Sequence, residues 1–158
     1  MHGFGQHDHS HCVVDSVAAA RAHCEAEGLK LTPTREKVLR ILLKEHRAFG
    51  AYEVLEHLKD DGLSAQPPTA YRALEFLVEQ GFAHKIERLN AFIACGHPGE
   101  SHTPAFLICR SCSSVAEAQS ETAKGSLGRT AREAGFQIER TVVEAEGICP
   151  KCQPESAQ

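Results

Sequence analysis

The sequence predicts an α+β protein in two parts: an N-terminal winged helix-turn-helix domain and a small C-terminal α/β domain with a structural zinc ion. Three observations predict this class. Four segments with helical periodicity precede two short β-prone runs. A linker rich in Gly and Pro then leads to strand-like segments around one further helix. Two Cys-x-x-Cys pairs lie in that second part.

The chain opens with MHGFGQHDHSHC, in which four histidines precede a cysteine. Residues 1–11 show no periodicity, so we expect a disordered His-rich tail that holds metal only loosely. An Ala-rich helix is predicted over residues 13–27, and Gly28 suits the position just after its end.

Three more helices and a hairpin complete the predicted first domain, which spans residues 12–95. In LTPTREKVLRILLKEH, Thr32 can cap the helix and Pro33 suits its first position. AYEVLEHLKDDG and PTAYRALEFLVEQG repeat the amphipathic pattern and end at Gly62 and Gly81. FAHKIE and AFIAC, separated by RLN, predict two paired strands. This order is that of a winged helix-turn-helix, whose second motif helix enters the DNA major groove.

The second domain is predicted over residues 105–153, after a linker at 96–104 and before a short tail at 154–158. AFLIC, SVAEA and FQIERTVVEAEGIC read as strands, and TAKGSLGRTAREAG reads as a helix. A domain of about fifty residues buries little surface, and such a domain usually needs a metal or a partner subunit. We expect both.

Composition restricts the function classes. A formal net charge of −4 over 158 residues argues against a polybasic nucleic-acid binder. Residues 30–47 nevertheless contain six basic and two acidic side chains, which favours either a phosphate-binding surface or an ordinary solvated helix face. No apolar run could span a bilayer and no secretory signal is visible, so we expect a soluble, cytoplasmic protein without a membrane partner.

Four cysteines have the spacing of a structural zinc site. Clustered thiols in a reducing compartment are typically metal ligands or redox groups, and two Cys-x-x-Cys turns complete a closed tetrahedral site. A redox interpretation explains only one pair and requires a βαβ context that neither pair has. The predicted structural zinc ligands are Cys109, Cys112, Cys149 and Cys152.

A second, mixed site is predicted where the two domains meet. Its candidate ligands are His84, Cys95, His97, His102 and Glu117. One thiolate with nitrogen and oxygen donors suits zinc better than manganese or magnesium, which favour oxygen. Spacing alone leaves open whether His97 or His102, and whether Glu117 or Glu100, completes the site.

The stretches LTPTREKVL, PPTAYRALEFLVEQGFAHKIE, SHTPAFLICRSC and VVEAEGICPKC resemble the ferric uptake regulator family, specifically its zinc uptake regulator branch. The resemblance covers residues 13–153. It implies a winged-helix domain hinged to a dimerisation domain, a homodimer and two zinc ions per protomer, one structural and one regulatory. The ligands it implies for the regulatory ion are His84, Cys95, His102 and Glu117.

The resemblance also implies DNA contacts by Tyr71 and Arg72, and Thr69 and Arg35 join them as candidates from the helix start and the basic run. Arginine can make two hydrogen bonds to a guanine edge. Packing is the alternative role for Tyr71, because it shares a stripe with Leu74 and Val78.

The function implied is a zinc-responsive transcriptional repressor of palindromic operators, with zinc-uptake genes as the expected targets and no small-molecule substrate. The alternative within the family is an iron, manganese or peroxide sensor, although ESHTPAFLIC and RAFGAYE lack the histidines of those branches. We expect no enzyme: a zinc hydrolase with Glu117 as base needs an open position for water, which four protein ligands would close. A protein-binding zinc module without DNA contact is disfavoured by the start of the second motif helix and by the basic run.

Overall fold

The structure is a computed structural model, and it describes residue 4 and residues 9–100, 102–121 and 124–154. The chain forms two compact units that divide between Gly99 and Glu100. The α+β class predicted from the sequence is confirmed. No helix in the described ranges combines the length and apolarity needed to cross a bilayer.

The N-terminal unit contains four helices and a hairpin. Their bounds are α1 His9–Ala26, α2 Pro33–Leu42, α3 Ala51–Asp60, α4 Pro67–Glu79, β1 Ala83–Ile86 and β2 Ala91–Ala94. Because α1 begins at His9, the prediction of a disordered tail is wrong for residues 9–11, while residues 1–3 and 5–8 lie outside the described part.

Local sequence signals explain where these helices begin and end. The Thr32 hydroxyl accepts a hydrogen bond from the Arg35 amide at 3.3 Å, and Pro33 follows at the first helical position, as a helix start requires. After α4, Gly81 adopts a φ of 77°, a left-handed conformation that suits glycine and stops the helix.

The core of this unit lies between α2, α3 and α4, with the hairpin against it. Its largest fully buried side chains include Leu39, Ile41, Leu42, Phe49, Leu58, Leu74 and Leu77. Phe49 exchanges two backbone hydrogen bonds of 2.8 Å with Phe92 of β2, which ties the segment before α3 to the wing. Helix α4 and the segment before α3 are therefore held against the hairpin, in the order expected of a winged helix-turn-helix.

The C-terminal unit is a three-stranded sheet with one helix. Its elements are β3 Thr103–Cys109, β4 Val115–Ser120, α5 Ser126–Glu133 and β5 Val143–Gly147, and the strand order is β4-β3-β5. Strand β3 pairs antiparallel with β4 and parallel with β5. Strand β3 begins inside the predicted linker 96–104, and β5 is shorter than the predicted final strand.

Candidate metal centres and nucleic-acid interface

Strands β3 and β5 are parallel, and the two Cys-x-x-Cys turns lie together at their carboxyl ends. Cys109 ends β3 and pairs in parallel register with Gly147, the last residue of β5. The turns that follow carry Cys112 and Cys149, whose sulfur atoms lie 3.7 Å apart, and then Cys152. All four sulfur atoms lie within 4.8 Å of one another, and each cysteine is a free thiol. Four sulfurs at this separation can surround one tetrahedral zinc ion.

The hydrogen bonds and mutual repulsion of these four thiols favour binding of a positive ion between them. The Cys149 amide donates to the Cys109 sulfur at 3.3 Å and, with the Cys112 amide, lowers the pKa of Cys109 to about 6. The Ser114 hydroxyl, 3.1 Å from the Cys112 sulfur, lowers the pKa of Cys112. Contact with the Cys149 sulfur raises the pKa of Cys152 to about 12. Neighbouring thiolates repel each other, so four can ionise together only around a positive ion.

The wing of the N-terminal unit carries one imidazole and one thiol. His84 lies in β1 opposite Ile93, and Cys95 follows β2 with its amide donating to the Phe82 carbonyl at 3.0 Å. A ring nitrogen of His84 and the Cys95 sulfur lie within 4.8 Å. Cys95 is 5% exposed, and its sulfur accepts a hydrogen bond from the His97 amide at 3.3 Å. A buried thiol that already accepts an N–H bond is suited to act as a thiolate ligand.

The C-terminal unit has its own pair of donors, His102 and Glu117. His102 Nε2 lies 2.7 Å from a carboxylate oxygen of Glu117, which is 4% exposed on β4. The Glu100 carbonyl lies 2.8 Å from His102 Nδ1. A carbonyl can only accept, so Nδ1 carries the proton and Nε2 is the nitrogen available to an acid or a metal.

These contacts shift the pKa of His102. Burial lowers the pKa of His102, but the hydrogen bonds to the Glu100 carbonyl and the Glu117 carboxylate outweigh it, and the net shift is upward. The imidazolium form can donate from both nitrogens. A metal ion at Nε2 would replace that proton, because a ligating imidazole must offer a lone pair.

Helix α4 presents the predicted DNA-contacting residues to solvent. Its inner side is formed by Ala70, Ala73, Leu74, Phe76 and Leu77, all of them buried. Tyr71 is 40% exposed, Arg72 is exposed and Thr69 is half-buried. Tyr71 therefore does not share the burial of Leu74, which was the basis of the packing alternative.

The basic run 30–47 does not form one open surface. Lys37 pairs with Asp61 at 2.9 Å, and Arg40 pairs with Glu36 at 3.0 Å. Arg47 pairs with both Glu45 and Glu53 and lies over the ring of Phe49. Three of the six basic side chains are thus paired with carboxylates, which favours the second interpretation of the run, an ordinary solvated surface, over a phosphate-binding one.

The guanidinium of Arg35 lies 3.7 Å from the centre of the Phe76 ring and donates a hydrogen bond to the Lys30 carbonyl. A second exposed tyrosine, Tyr52 on α3, is 67% exposed, and the sequence analysis made no prediction for it. Its exposure could have been predicted from the sequence, because Tyr52 lies outside the apolar stripe that contains Val54 and Leu55.

Together, a winged helix with an exposed Tyr-Arg pair and a sheet that ends in four clustered thiols define a metal-binding protein of the DNA-reading, winged-helix class. Residues 26–146 match the model of the ferric uptake regulator family. The chain belongs to the ferric uptake regulator family.

Two zinc uptake regulators and a further relative show where in the family the similarity lies. The zinc uptake regulation protein of Escherichia coli (strain K12) is 38% identical over 137 residues, which are 86% of this chain and 80% of the relative. A solved zinc uptake regulator complexed with zinc and DNA is 37% identical, with a TM-score of 0.84 over 89% of this chain and 94% of that chain. The crystal structure of holo XcZur is 40% identical, with a TM-score of 0.77 over 86% and 95%. Members of this family are transcription regulators.

Proposed function

We propose that this protein is a zinc-responsive transcriptional repressor that binds palindromic operators when its regulatory zinc site is filled. One observation carries the proposal: each unit presents a protected pair of donors, His84 with Cys95 and His102 with Glu117. Together the pairs offer one sulfur, two nitrogens and one oxygen, a mixture that suits zinc. The similarity to a zinc uptake regulator complexed with zinc and DNA supports the same function.

The regulatory ion would take ligands from both units, and a second, structural ion would be held by the four-cysteine cluster, which makes two per protomer. Bound zinc supplies a tetrahedral centre that fixes its ligands relative to one another. In the sensing site, the Glu100 carbonyl orients the His102 ring and the His97 amide orients the Cys95 sulfur, so both donors are aimed before metal binds.

Zinc can favour DNA binding only through a preference for the DNA-competent conformation. Raising the competent fraction from 1% to 99% requires a preference of about 5.5 kcal/mol. Structural zinc in small peptides contributes about 10–16 kcal/mol, so a four-ligand site has sufficient capacity. Linkage then requires that operator DNA tighten zinc binding by the same factor.

The operator would be read by two copies of α4, one from each protomer of a homodimer. Dimeric readers contact half-sites separated by about 34–36 Å, one helical turn, or a multiple of it. The C-terminal unit offers the pairing surface, because β5 is an edge strand and the same unit exposes three large apolar side chains in α5 and in the segment between α5 and β5. Those side chains are Leu127, Phe136 and Val142. A regulator of this kind would act in the cytoplasm, and zinc-uptake genes are its expected targets.

An iron, manganese or peroxide sensor remains the alternative within the family. Those chemistries favour nitrogen and oxygen donors, whereas the buried Cys95 supplies a thiolate. Measuring operator binding with zinc, iron(II) and manganese(II) in turn, each buffered by a chelator, distinguishes the candidates. Binding that responds to manganese and not to zinc would contradict the proposal.

The direct test is a Cys95→Ala variant compared with Cys12→Ala, a half-buried thiol on α1 outside both donor sets. Fluorescence anisotropy with a palindromic duplex, selected from a random pool by the wild-type protein, reports binding as free zinc rises. We expect Cys95→Ala to remain a folded dimer whose DNA binding no longer responds to zinc, and Cys12→Ala to behave as wild type. A full zinc response in Cys95→Ala would refute the ligand assignment.

A further inference from the structure

Arg35 connects three parts of the N-terminal unit. It lies in the first turn of α2, where its amide donates to the Thr32 hydroxyl at 3.3 Å. Its guanidinium donates to the Lys30 carbonyl in the preceding loop. The same guanidinium lies over the Phe76 ring of α4, with its central carbon 3.7 Å from the ring centre.

The position of Phe76 gives this contact its significance. Phe76 is 8% exposed and lies one helical turn after Arg72, on the helix that carries the proposed DNA contacts. A cation held over an aromatic face is attracted by the ring quadrupole, and the planar guanidinium of arginine stacks well there. The contact therefore ties α4 directly to the start of α2.

The geometry also restricts what Arg35 can offer to DNA. A guanidinium has five N–H donors in one plane, and here one edge is directed to the Lys30 carbonyl while one face covers the Phe76 ring. These two contacts commit one N–H donor and one face of the guanidinium to partners inside the unit and fix its orientation there, while the other N–H donors are not used by them. The sequence-based role of Arg35 as a DNA contact thus competes with a role inside the unit.

We propose that Arg35 is a positioning residue, which sets the placement of α4 through Phe76 and does not contact phosphate. The proposal rests on the proposed DNA-binding function and deepens it. Loss of the Arg35–Phe76 contact lets α4 shift relative to α2, so that Tyr71 and Arg72 meet base edges less well. The number of phosphates neutralised by the protein stays the same.

Salt dependence separates the two roles. The logarithm of the affinity falls linearly with the logarithm of the salt concentration, and each phosphate contact adds about 0.9 to the slope. A phosphate-contacting arginine therefore changes the slope when it is removed. A positioning arginine changes the affinity for the operator and leaves the slope as it was.

The experiment measures binding of zinc-loaded full-length protein to the selected palindromic duplex and to a scrambled duplex, from about 50 to 200 mM salt. The variants are Arg35→Gln, Arg35→Lys, Phe76→Leu and the double variant Arg35→Gln/Phe76→Leu. Stoichiometric titration gives the active fraction of each preparation, so a variant that only unfolds more easily is corrected for.

We expect Arg35→Gln and Phe76→Leu each to weaken operator binding by about 2- to 10-fold, the range of a cation–π contact. The double variant should be no weaker than the weaker single one, because both remove the same contact. Arg35→Lys should fall in between. Binding to the scrambled duplex and both salt slopes should match wild type, so the ratio of operator to scrambled affinity falls.

Three results would overturn the proposal. A salt slope reduced by about 0.9 in Arg35→Gln but not in Phe76→Leu would make Arg35 a phosphate contact. Additive effects of the two substitutions would show that they do not act through one contact. An unchanged operator-to-scrambled ratio at equal active fraction would leave Arg35 a purely structural role. Operator binding by wild type that ignores zinc would count against the proposed function alone, because the slope comparison remains valid.

Discussion

Replacing Cys112 with serine should release the proposed structural zinc ion and unfold the C-terminal unit, while the N-terminal unit stays folded. Cys112 is exposed in the turn after β3, so the substitution removes almost no buried surface. Any large effect must then come from the lost metal ligand. Cys12→Ser, which changes a half-buried thiol outside the cluster, is the matched control.

The size of the effect follows from how little the C-terminal unit buries. Among the described residues of this unit, the buried side chains are Phe106, Ile108, Cys109, Val115, Ala116, Glu117, Ala131 and Cys149. Two of these are themselves cluster ligands. Zinc in small metal-dependent folds contributes about 10–16 kcal/mol, whereas a whole domain is stable by about 5–15 kcal/mol. Removing the ion therefore removes as much free energy as the folded unit can be expected to have.

Amide hydrogen exchange read by mass spectrometry is the appropriate assay, since it resolves the two units within one chain. Peptides from β3 and β4 should lose their protection in Cys112→Ser, and peptides from α2 to α4 should keep it, because the hydrophobic cluster from Val17 to Phe92 is continuous. Metal analysis should find both proposed zinc ions lost, because unfolding of the C-terminal unit also removes His102 and Glu117 from the regulatory donor set. Full zinc content together with wild-type protection of β3 would refute the reasoning.

Three further predictions follow from particular contacts. Burial opposes the shift, but hydrogen bonds from Arg21 and Arg40 hold the pKa of Glu36 below its ordinary value. Glu36→Gln should therefore lower the free energy of unfolding by about 1 kcal/mol at pH 7. Because a lowered pKa stabilises the folded state above the ordinary value, thermal denaturation should show this difference disappearing as the pH falls through the depressed pKa. Arg72→Gln should reduce discrimination at one base pair by about 1–3 kcal/mol, measured with single-substitution duplexes, and equal affinities would contradict it. A chelator titration should remove one zinc per protomer readily and the other only on unfolding; simultaneous loss would show that the two sites do not differ.

The helices and the hairpin were predictable because their signals are local. Apolar spacing, the Thr32 cap and the glycine at residue 81 all act within a few residues of the structure that they specify. The start of α1 was not predictable in this way. Its first turn, at His9, lies in a run of polar residues without periodicity, and nothing in the run itself marks a helix.

The charges of the basic run were misleading for a related reason. Some of their partners are distant in sequence: Asp61 pairs with Lys37, and the ring beneath Arg35 belongs to Phe76. Others, Glu36 and Glu45, lie inside the run. The sequence of the run therefore shows only some of the groups that its basic side chains contact. Tyr52 and Tyr71 are likewise exposed and lie outside the core. Their exposure depends on which faces of the helices pack together in the fold.

The two proposed metal sites differ in predictability because they differ in what they must do. A structural site should persist, and short turns at the ends of neighbouring strands hold its thiols together, so its spacing is visible in the sequence. A sensing site must lose its geometry when metal is absent, which requires donors from segments that can separate. Such donors do not lie together in one short turn, so no short spacing motif marks them in the sequence. Spacing therefore left His97 and His102 equal. The family resemblance favoured His102, and the contacts of its ring with the Glu100 carbonyl and the buried Glu117 carboxylate support that choice.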